Sequence, residues 1–254
     1  MTKLEVRGLS KRFDTVGSNR YILQNINMTV NKGEFVCILG NTGCGKTTLL
    51  RILSGLEVAT SGEIFLDGKL YKGPSRKMLM VFQDSNQLFP WKNLIDNVIY
   101  PLKTLKTKGK KDIRVIAEDL LDSVELGEFK KFYPYQLSGG MKQRGVLARA
   151  LAMAPDIMLF DEPFSSLDEI TRSRLQSLLL KIHNENQLLS IFVTHSIGEA
   201  LFMADKIIVM GNAPNNILKK YDNPFRGSHK RDSRYSKLLE EIRMLMGKYP
   251  QNIF

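Results

Sequence analysis

Gly40-Asn41-Thr42-Gly43-Cys44-Gly45-Lys46-Thr47 places two glycines around four residues and follows them with a lysine and a threonine. Glycines let a backbone turn its N–H groups inward around phosphate oxygens. A lysine at this place neutralises the β and γ phosphates, and a threonine hydroxyl can ligate Mg²⁺. Average residue frequencies produce the bare pattern in about one per cent of chains this long, so a phosphate site is the preferred reading. A second group follows in Ile157-Met158-Leu159-Phe160-Asp161-Glu162, an apolar run that ends in two acids. Asp161 is placed to reach Mg²⁺, directly or through water, and Glu162 to orient and deprotonate an attacking water. Alone, these acids would read as loop caps; beside a phosphate loop, metal and water chemistry takes precedence. The third group is Leu137-Ser138-Gly139-Gly140-Met141-Lys142-Gln143-Arg144. Ser138 is a good N-cap and the paired glycines leave the first N–H groups of a helix uncovered, which makes a second anion site.

These groups need elements to hold them. Short apolar runs at 34–39, 78–82, 157–160, 188–193 and 207–210 read as buried strands. Apolar residues at intervals of three and four predict helices over 49–56, 113–124, 140–153 and 171–182. Strands alternating with helices predict an α/β fold with a mostly parallel sheet covered on both faces. Residues 85–152 contain helical patterns and no convincing strand, so they are expected to form an inserted helical subdomain. Segments 4–9, 26–30 and 64–66 read as antiparallel additions, with Asp67-Gly68 as a hairpin turn. The phosphate loop leaves the strand at 34–39 and enters a helix near Lys46, which puts the phosphates at the positive end of a helix dipole.

Composition narrows the setting. The 254 residues are 43% apolar, enough for a substantial core, and carry a net charge of +11. Much of that charge lies in two stretches, 103–114 and 219–237, each with a net excess of five positive charges. Such stretches can meet nucleic acid or anionic lipid, but 106–111 has no interleaved aromatic residues, and a solvated face is the preferred reading. Cys37 and Cys44 are the only cysteines, which matches a reducing compartment and excludes a disulfide framework or a four-thiolate zinc site. No run is long and apolar enough to span a bilayer and the start lacks the apolar core of a secretion signal. The expectation is a chain that stays in the cytosol and does not cross the membrane alone.

At the 137–143 motif the sequence resembles the ATP-binding-cassette ATPases, and the resemblance extends over nearly the whole chain with motifs in the family's order. It implies a P-loop NTPase fold in one domain of 1–254: a RecA-like core with an antiparallel β part (1–84 and 153–222), the helical subdomain 85–152, and a C-terminal helical tail 223–254. It implies ATP bound by Phe13, Gly40, Asn41, Thr42, Gly43, Cys44, Gly45, Lys46, Thr47 and Thr48, with Phe13 stacking on adenine; by itself Phe13 would read as core. It implies Mg²⁺ held by Thr47, Gln83 and Asp161, and catalysis by Glu162, His195, Gln83 and Lys46, His195 meeting the γ phosphate. A lone histidine there would read as structural. Two copies would pair head to tail, each ATP meeting Ser138, Gly139, Gly140 and Gln143 of the other copy, with Ser166 and Asp168 in the loop that communicates across the dimer. Ser196, Gly198 and Ser165-Ser166 depart from the family's common residues, and none of these departures removes a charge the chemistry needs.

Leu88-Phe89-Pro90-Trp91 with Asn97-Val98, and Asp161-Glu162-Pro163-Phe164 with Thr171-Arg172, look like the subgroup that imports nitrate, sulfonates and taurine. That likeness implies a peripheral protein on the cytoplasmic face of the cell membrane, a homodimer docked on integral membrane permease subunits and served indirectly by an extracytoplasmic solute-binding protein. Trp91 reads equally as part of the permease-docking groove or as core. The competing classes are a cassette ATPase acting on nucleic acid, motivated by the basic balance, and an exporter. The chain shows no long coiled coil, zinc cysteines or second cassette, so no nucleic acid is expected as a partner. With the sequence ending at Phe254, the β-rich regulatory domain that many sugar importers of this family append is not expected.

Overall fold

The computed structural model describes residues 3–13, 20–84, 86–104, 112–214, 216–228 and 232–247. The elements in chain order are β1 (Lys3–Arg12), β2 (Tyr21–Asn31), β3 (Phe35–Gly40), α1 (Lys46–Leu53), β4 (Ser61–Leu66), β5 (Lys69–Leu70) and β6 (Met78–Val81), followed by α2 (Leu94–Thr104), α3 (Ile113–Ser123) and α4 (Gly139–Leu151). The chain continues through β7 (Ile157–Asp161), α5 (Glu169–Asn186), β8 (Leu189–Thr194), α6 (Ile197–Met203), β9 (Lys206–Met210), β10 (Ile217–Asp222) and α7 (Ser233–Gly247). Two units result: 1–80 with 156–161 and 186–254, and 81–155 with 162–185.

The first unit carries two sheets. One has strand order β10-β9-β3-β8-β7-β6, the other β2-β1-β4-β5. In the larger sheet β3 runs parallel to β8 and β9, and β7 parallel to β8, while β10 is antiparallel to β9. Every residue of β3, β7 and β8 is buried. This is why those strands appear in the sequence as unbroken apolar runs: both faces of a parallel sheet are covered. In β2, Leu23, Ile26, Met28 and Val30 are buried while Gln24, Asn27 and Thr29 are exposed, the signature of a sheet with one open face. The predicted Asp67-Gly68 turn joins β4 to β5, with Leu66 opposite Lys69 and both turn residues at positive φ (55° and 75°), as a type I′ hairpin requires.

The predicted helix 49–56 stops three residues early, and the cause is local. Gly55 sits at φ 77°, its N–H donates to the Ile52 carbonyl and the Leu56 N–H to the Arg51 carbonyl, the two bonds of a Schellman stop. Leu56 is left exposed, so its apolar character misled the periodicity. The predicted strands and the other helices appear within a few residues of their expected limits. The periodicity singled out neither β10, α2 nor α6: β10 is an edge strand with Lys219 and Lys220 exposed, α2 carries Pro101, and α6 is only seven residues long.

The second unit is helical, with α2, α3 and α4 in mutual contact, and among the described residues from 86 to 152 there is no strand. Gly145 of α4 lets the helix approach Leu94 and Leu88, since a Cβ there would lie 2.9 Å from the Leu94 Cδ2. The basic stretch 106–111 lies outside the described residues. Of the second stretch, Lys219 pairs with Glu241 and Lys220 donates to the Asn27 carbonyl (3.0 Å), which accords with a solvated, locally paired face.

Candidate functional site

The phosphate loop sits where β3 ends beside β8 and β9, with Leu39 opposite Thr194 and Gly40 opposite Met210. Gly40 is required by space: a Cβ would lie 2.6 Å from the Met210 carbonyl oxygen. Gly45 caps α1 at φ 100°, and a Cβ there would lie 2.8 Å from Leu23 Cδ2, so it combines a left-handed backbone with a close approach. Gly43, at φ 84°, has open space where its side chain would be, leaving the loop uncovered on that side. Lys46 is only 5% exposed, and its ammonium donates to the Gly40 (2.9 Å) and Asn41 (3.0 Å) carbonyls. Thr47 and Thr48 follow in the first turn of α1, whose N–H groups have no partner within the helix.

Thr47 and Asp161, 114 residues apart, meet at the head of α1, the Thr47 hydroxyl donating to Asp161 Oδ1 at 3.0 Å. Asp161 is the buried last residue of β7. A hydroxyl and one carboxylate are hard oxygen donors, and no group of three or more His, Cys, Asp or Glu among the described residues could form an all-protein cage. That donor set suits Mg²⁺, which keeps waters and phosphate oxygens in its shell. His195 follows β8, the strand paired to β3, and is exposed. Phe13 is 41% exposed, with the Lys11 ammonium 4.6 Å from its ring centre, so the core role suggested by its type alone does not apply.

The second unit holds the remaining residues. Glu162 follows Asp161 directly, with its backbone held at φ 44°, a left-handed conformation that costs a non-glycine residue about 1–3 kcal/mol. Gln83 is exposed and donates its Nε2 to the Ser165 hydroxyl at 3.1 Å. Ser166 and Asp168 are exposed; Asp168 accepts from the Thr171 N–H (3.0 Å) at the start of α5, and this bond lowers its carboxyl pKa. Ser138 caps α4, accepting from the Met141 N–H at 3.3 Å, and Ser138 and Gly139 are both exposed. Gln143 differs: it is buried, and its Nε2 has no hydrogen-bond partner among the described residues, so its side chain is not presented with the helix tip.

Gly140 has a packing reason of its own, because a Cβ there would lie 2.5 Å from the Thr171 methyl. Gly140→Ala is therefore expected to destabilise the protein by about 1–3 kcal/mol, and Thr171→Ser to recover most of that loss. Thermal unfolding of the two single variants and the double variant checks this; equal melting temperatures for wild type and Gly140→Ala would remove the overpacking argument.

Trp91 is 71% exposed, which removes its core reading. It stacks on Phe89, which meets Tyr100 edge-on and carries the Arg149 guanidinium over its ring. Asn97, fully buried in α2, fixes this segment by accepting from the Phe89 N–H (2.8 Å) and donating to the Phe89, Lys92 and Asn93 carbonyls.

Two contacts near the loop escaped sequence reasoning. Asn41 Nδ2 donates to the Met246 carbonyl (3.2 Å) in the last turn of α7, a pairing with no local sequence signal. Thr194 and Glu199 bond to each other beside His195. The Ser196-Ile197-Gly198-Glu199 spacing, a serine cap followed three residues later by an acid, was the available cue for the latter.

The family model described as ABC transporter matches residues 23–165, more than half of the chain. The chain belongs to the ABC transporter family. An uncharacterized ABC transporter ATP-binding protein of Methanocaldococcus jannaschii is 45% identical over 215 residues, covering 85% of this chain and 80% of that protein. A taurine import ATP-binding protein of Roseobacter denitrificans is 42% identical over 226 residues (89% and 84%), and an aliphatic sulfonates import ATP-binding protein of Bacillus cereus 41% identical over 220 (87% and 86%). Among solved structures, a dimeric post-hydrolysis state of an ATP-binding cassette bound to ADP and Pi is 32% identical, covers 86% of this chain and 98% of its own, and matches with a TM-score of 0.75. The α/β architecture is thus that of a P-loop NTPase, and the chain is an ABC ATP-binding protein with ATPase activity. No helix among its described residues is long and apolar enough to cross a membrane.

Proposed function

We propose that this ABC protein is the ATP-hydrolysing subunit of an importer for a small solute such as nitrate, a sulfonate or taurine, and that it works as a homodimer on permease subunits at the cytoplasmic face of the membrane. The observation that carries the reading is the cluster at the head of α1: a buried Lys46 ammonium next to the Thr47–Asp161 pair, in a glycine loop left open at Gly43. Lys46 exchanges its carbonyl partners for β and γ phosphate oxygens, and the α1 N–H groups receive the remaining charge. Thr47 and Asp161 would hold Mg²⁺, with Gln83 toward it or its water, and the bound ion would supply neutralisation of phosphate charge. Glu162 orients and deprotonates the attacking water, and His195 contacts the γ phosphate. Phe13, already exposed, offers its ring to adenine.

The exposed Ser138-Gly139 tip of α4 accepts the γ phosphate bound by a second copy, so two ATP molecules close a head-to-tail pair against the mutual repulsion of two basic subunits. Ser166 and Asp168 lie in the loop between the copies. The exposed aromatic cluster around Trp91 docks the permease, which passes on solute captured by an external binding protein. Nucleic acid is not a partner in this reading; co-purification with nucleic acid at moderate salt would favour the alternative class.

Mixing two inactive variants tests the shared site. Lys46→Ala damages the loop, and Gly139→Asp puts a negative charge at the helix tip without overpacking, since a Cβ there meets only Leu167 at 3.8 Å. A head-to-tail heterodimer of the two contains one undamaged site, so ATPase activity is expected to return on mixing. Folded variants that remain inactive together, under conditions where wild type is active, would refute the shared arrangement.

A further inference from the structure

His195 is the single residue between the end of β8 and Ser196, the cap of α6, and three hydrogen bonds close a ring around it. The Ser196 N–H donates to the Thr194 hydroxyl (3.0 Å), the Thr194 hydroxyl donates to the Glu199 carboxylate, and the Glu199 N–H donates to the Ser196 hydroxyl (3.3 Å). Thr194 is 2% exposed and Glu199 9%, so the bond between them is shielded from water, while Ser196 is half-buried and His195 itself is exposed. Its position is fixed from the other side as well, because Thr194 pairs with Leu39, one residue before the phosphate loop begins.

A threonine hydroxyl that accepts an N–H two residues on restrains the dihedrals of the residue between them. Here that residue is His195. Ordinarily a capping serine alone starts a short helix, and α6 has one in Ser196. Glu199 adds to it: its buried carboxylate accepts a hydrogen bond from the Thr194 hydroxyl, which leaves the hydroxyl lone pairs turned toward the Ser196 N–H. A buried carboxylate is costly to desolvate and is retained where its hydrogen bonds offset that cost.

We infer that Thr194 and Glu199 are positioning residues for ATP hydrolysis, a brace that holds His195 at the edge of the phosphate loop. The inference rests on the reading that His195 contacts the γ phosphate. Neither residue touches nucleotide in this scheme; both act through the backbone of residue 195. Loss of the brace lets the imidazole sample positions off the reaction line, which lowers kcat and leaves the KM for ATP, set mostly by the loop and Lys46, nearly unchanged.

Three variants of the full-length chain, assayed for Mg-ATP hydrolysis and thermal stability, decide the matter. Thr194→Val keeps the shape and removes the hydroxyl; kcat should fall about 10-fold or more with KM within about twofold. Thr194→Ser keeps the hydroxyl and should recover wild-type kcat to within about threefold. His195→Ala reports on the underlying reading. If His195→Ala hydrolyses ATP at the wild-type rate, the reading of His195 fails and takes the brace with it. If His195→Ala is impaired while folded Thr194→Val is not, or if Thr194→Ser fails to recover the rate, the brace alone is wrong. Should Thr194→Val fold poorly, the imidazole signal of His195 in Thr194→Ser and wild type, followed by NMR on adding a non-hydrolysable Mg-ATP analogue, gives the second measure: equal shifts are expected, and a displaced signal despite the retained hydroxyl overturns the inference.

Discussion

Glu162→Gln is expected to lower ATP turnover by about 10²–10⁴-fold while Mg-ATP affinity stays within a few-fold and a dimer accumulates in its presence. The substitution keeps size and one hydrogen-bonding oxygen and removes the ability to take a proton. Glu162 suits this role by position: it follows the buried Asp161 and occupies a left-handed backbone conformation at φ 44° that fixes where its side chain leaves the chain. If ATP both closes the dimer and reopens it when hydrolysed, a variant that binds without hydrolysing must collect in the closed form. Phosphate release measures the first effect and light scattering after gel filtration with Mg-ATP the second. Turnover at the wild-type rate would remove Glu162 as the base; slow turnover without a dimer would separate the chemistry from the association.

Lys46→Ala should abolish detectable ATP binding, with an affinity loss of about 10²-fold or more, since charge-assisted bonds to phosphate contribute roughly 1.5–3 kcal/mol each. Lys46 is a buried residue, and its ammonium donates to the Gly40 and Asn41 backbone carbonyls, acceptors that phosphate oxygens can replace. The nucleotide-free variant should accordingly melt within a few degrees of wild type, while the rise in melting temperature that ATP gives the wild type disappears. A variant still stabilised by ATP would locate the phosphates elsewhere.

Much of this protein can be read from the order of its residues alone. The glycine loop, the Ser138 cap, the type I′ turn at Asp67-Gly68 and the fully apolar strands are local facts, because backbone dihedrals and burial patterns follow from residue type and spacing over a few positions. The candidate site residues could be picked out for the same reason: phosphate, metal and water roles would each need particular side chains at short range along the chain. The helix stop at Gly55 was legible too, since glycine at that place favours a left-handed residue, yet the apolar Leu56 beyond it hid the signal.

What spacing could not supply is which distant residues meet. Thr47 reaches Asp161, Thr171 closes on Gly140, Asn41 meets Met246, and Thr194 stands beside the phosphate loop only because β3 lies between β8 and β9, with strand order unrelated to chain order. Exposure is likewise a property of the fold: Phe13 and Trp91 have core-like side chains and lie at the surface, whereas Gln143 is polar and buried. Residue identity sets what a side chain can do; sheet order and packing, which sum over the entire chain, decide what it is brought next to.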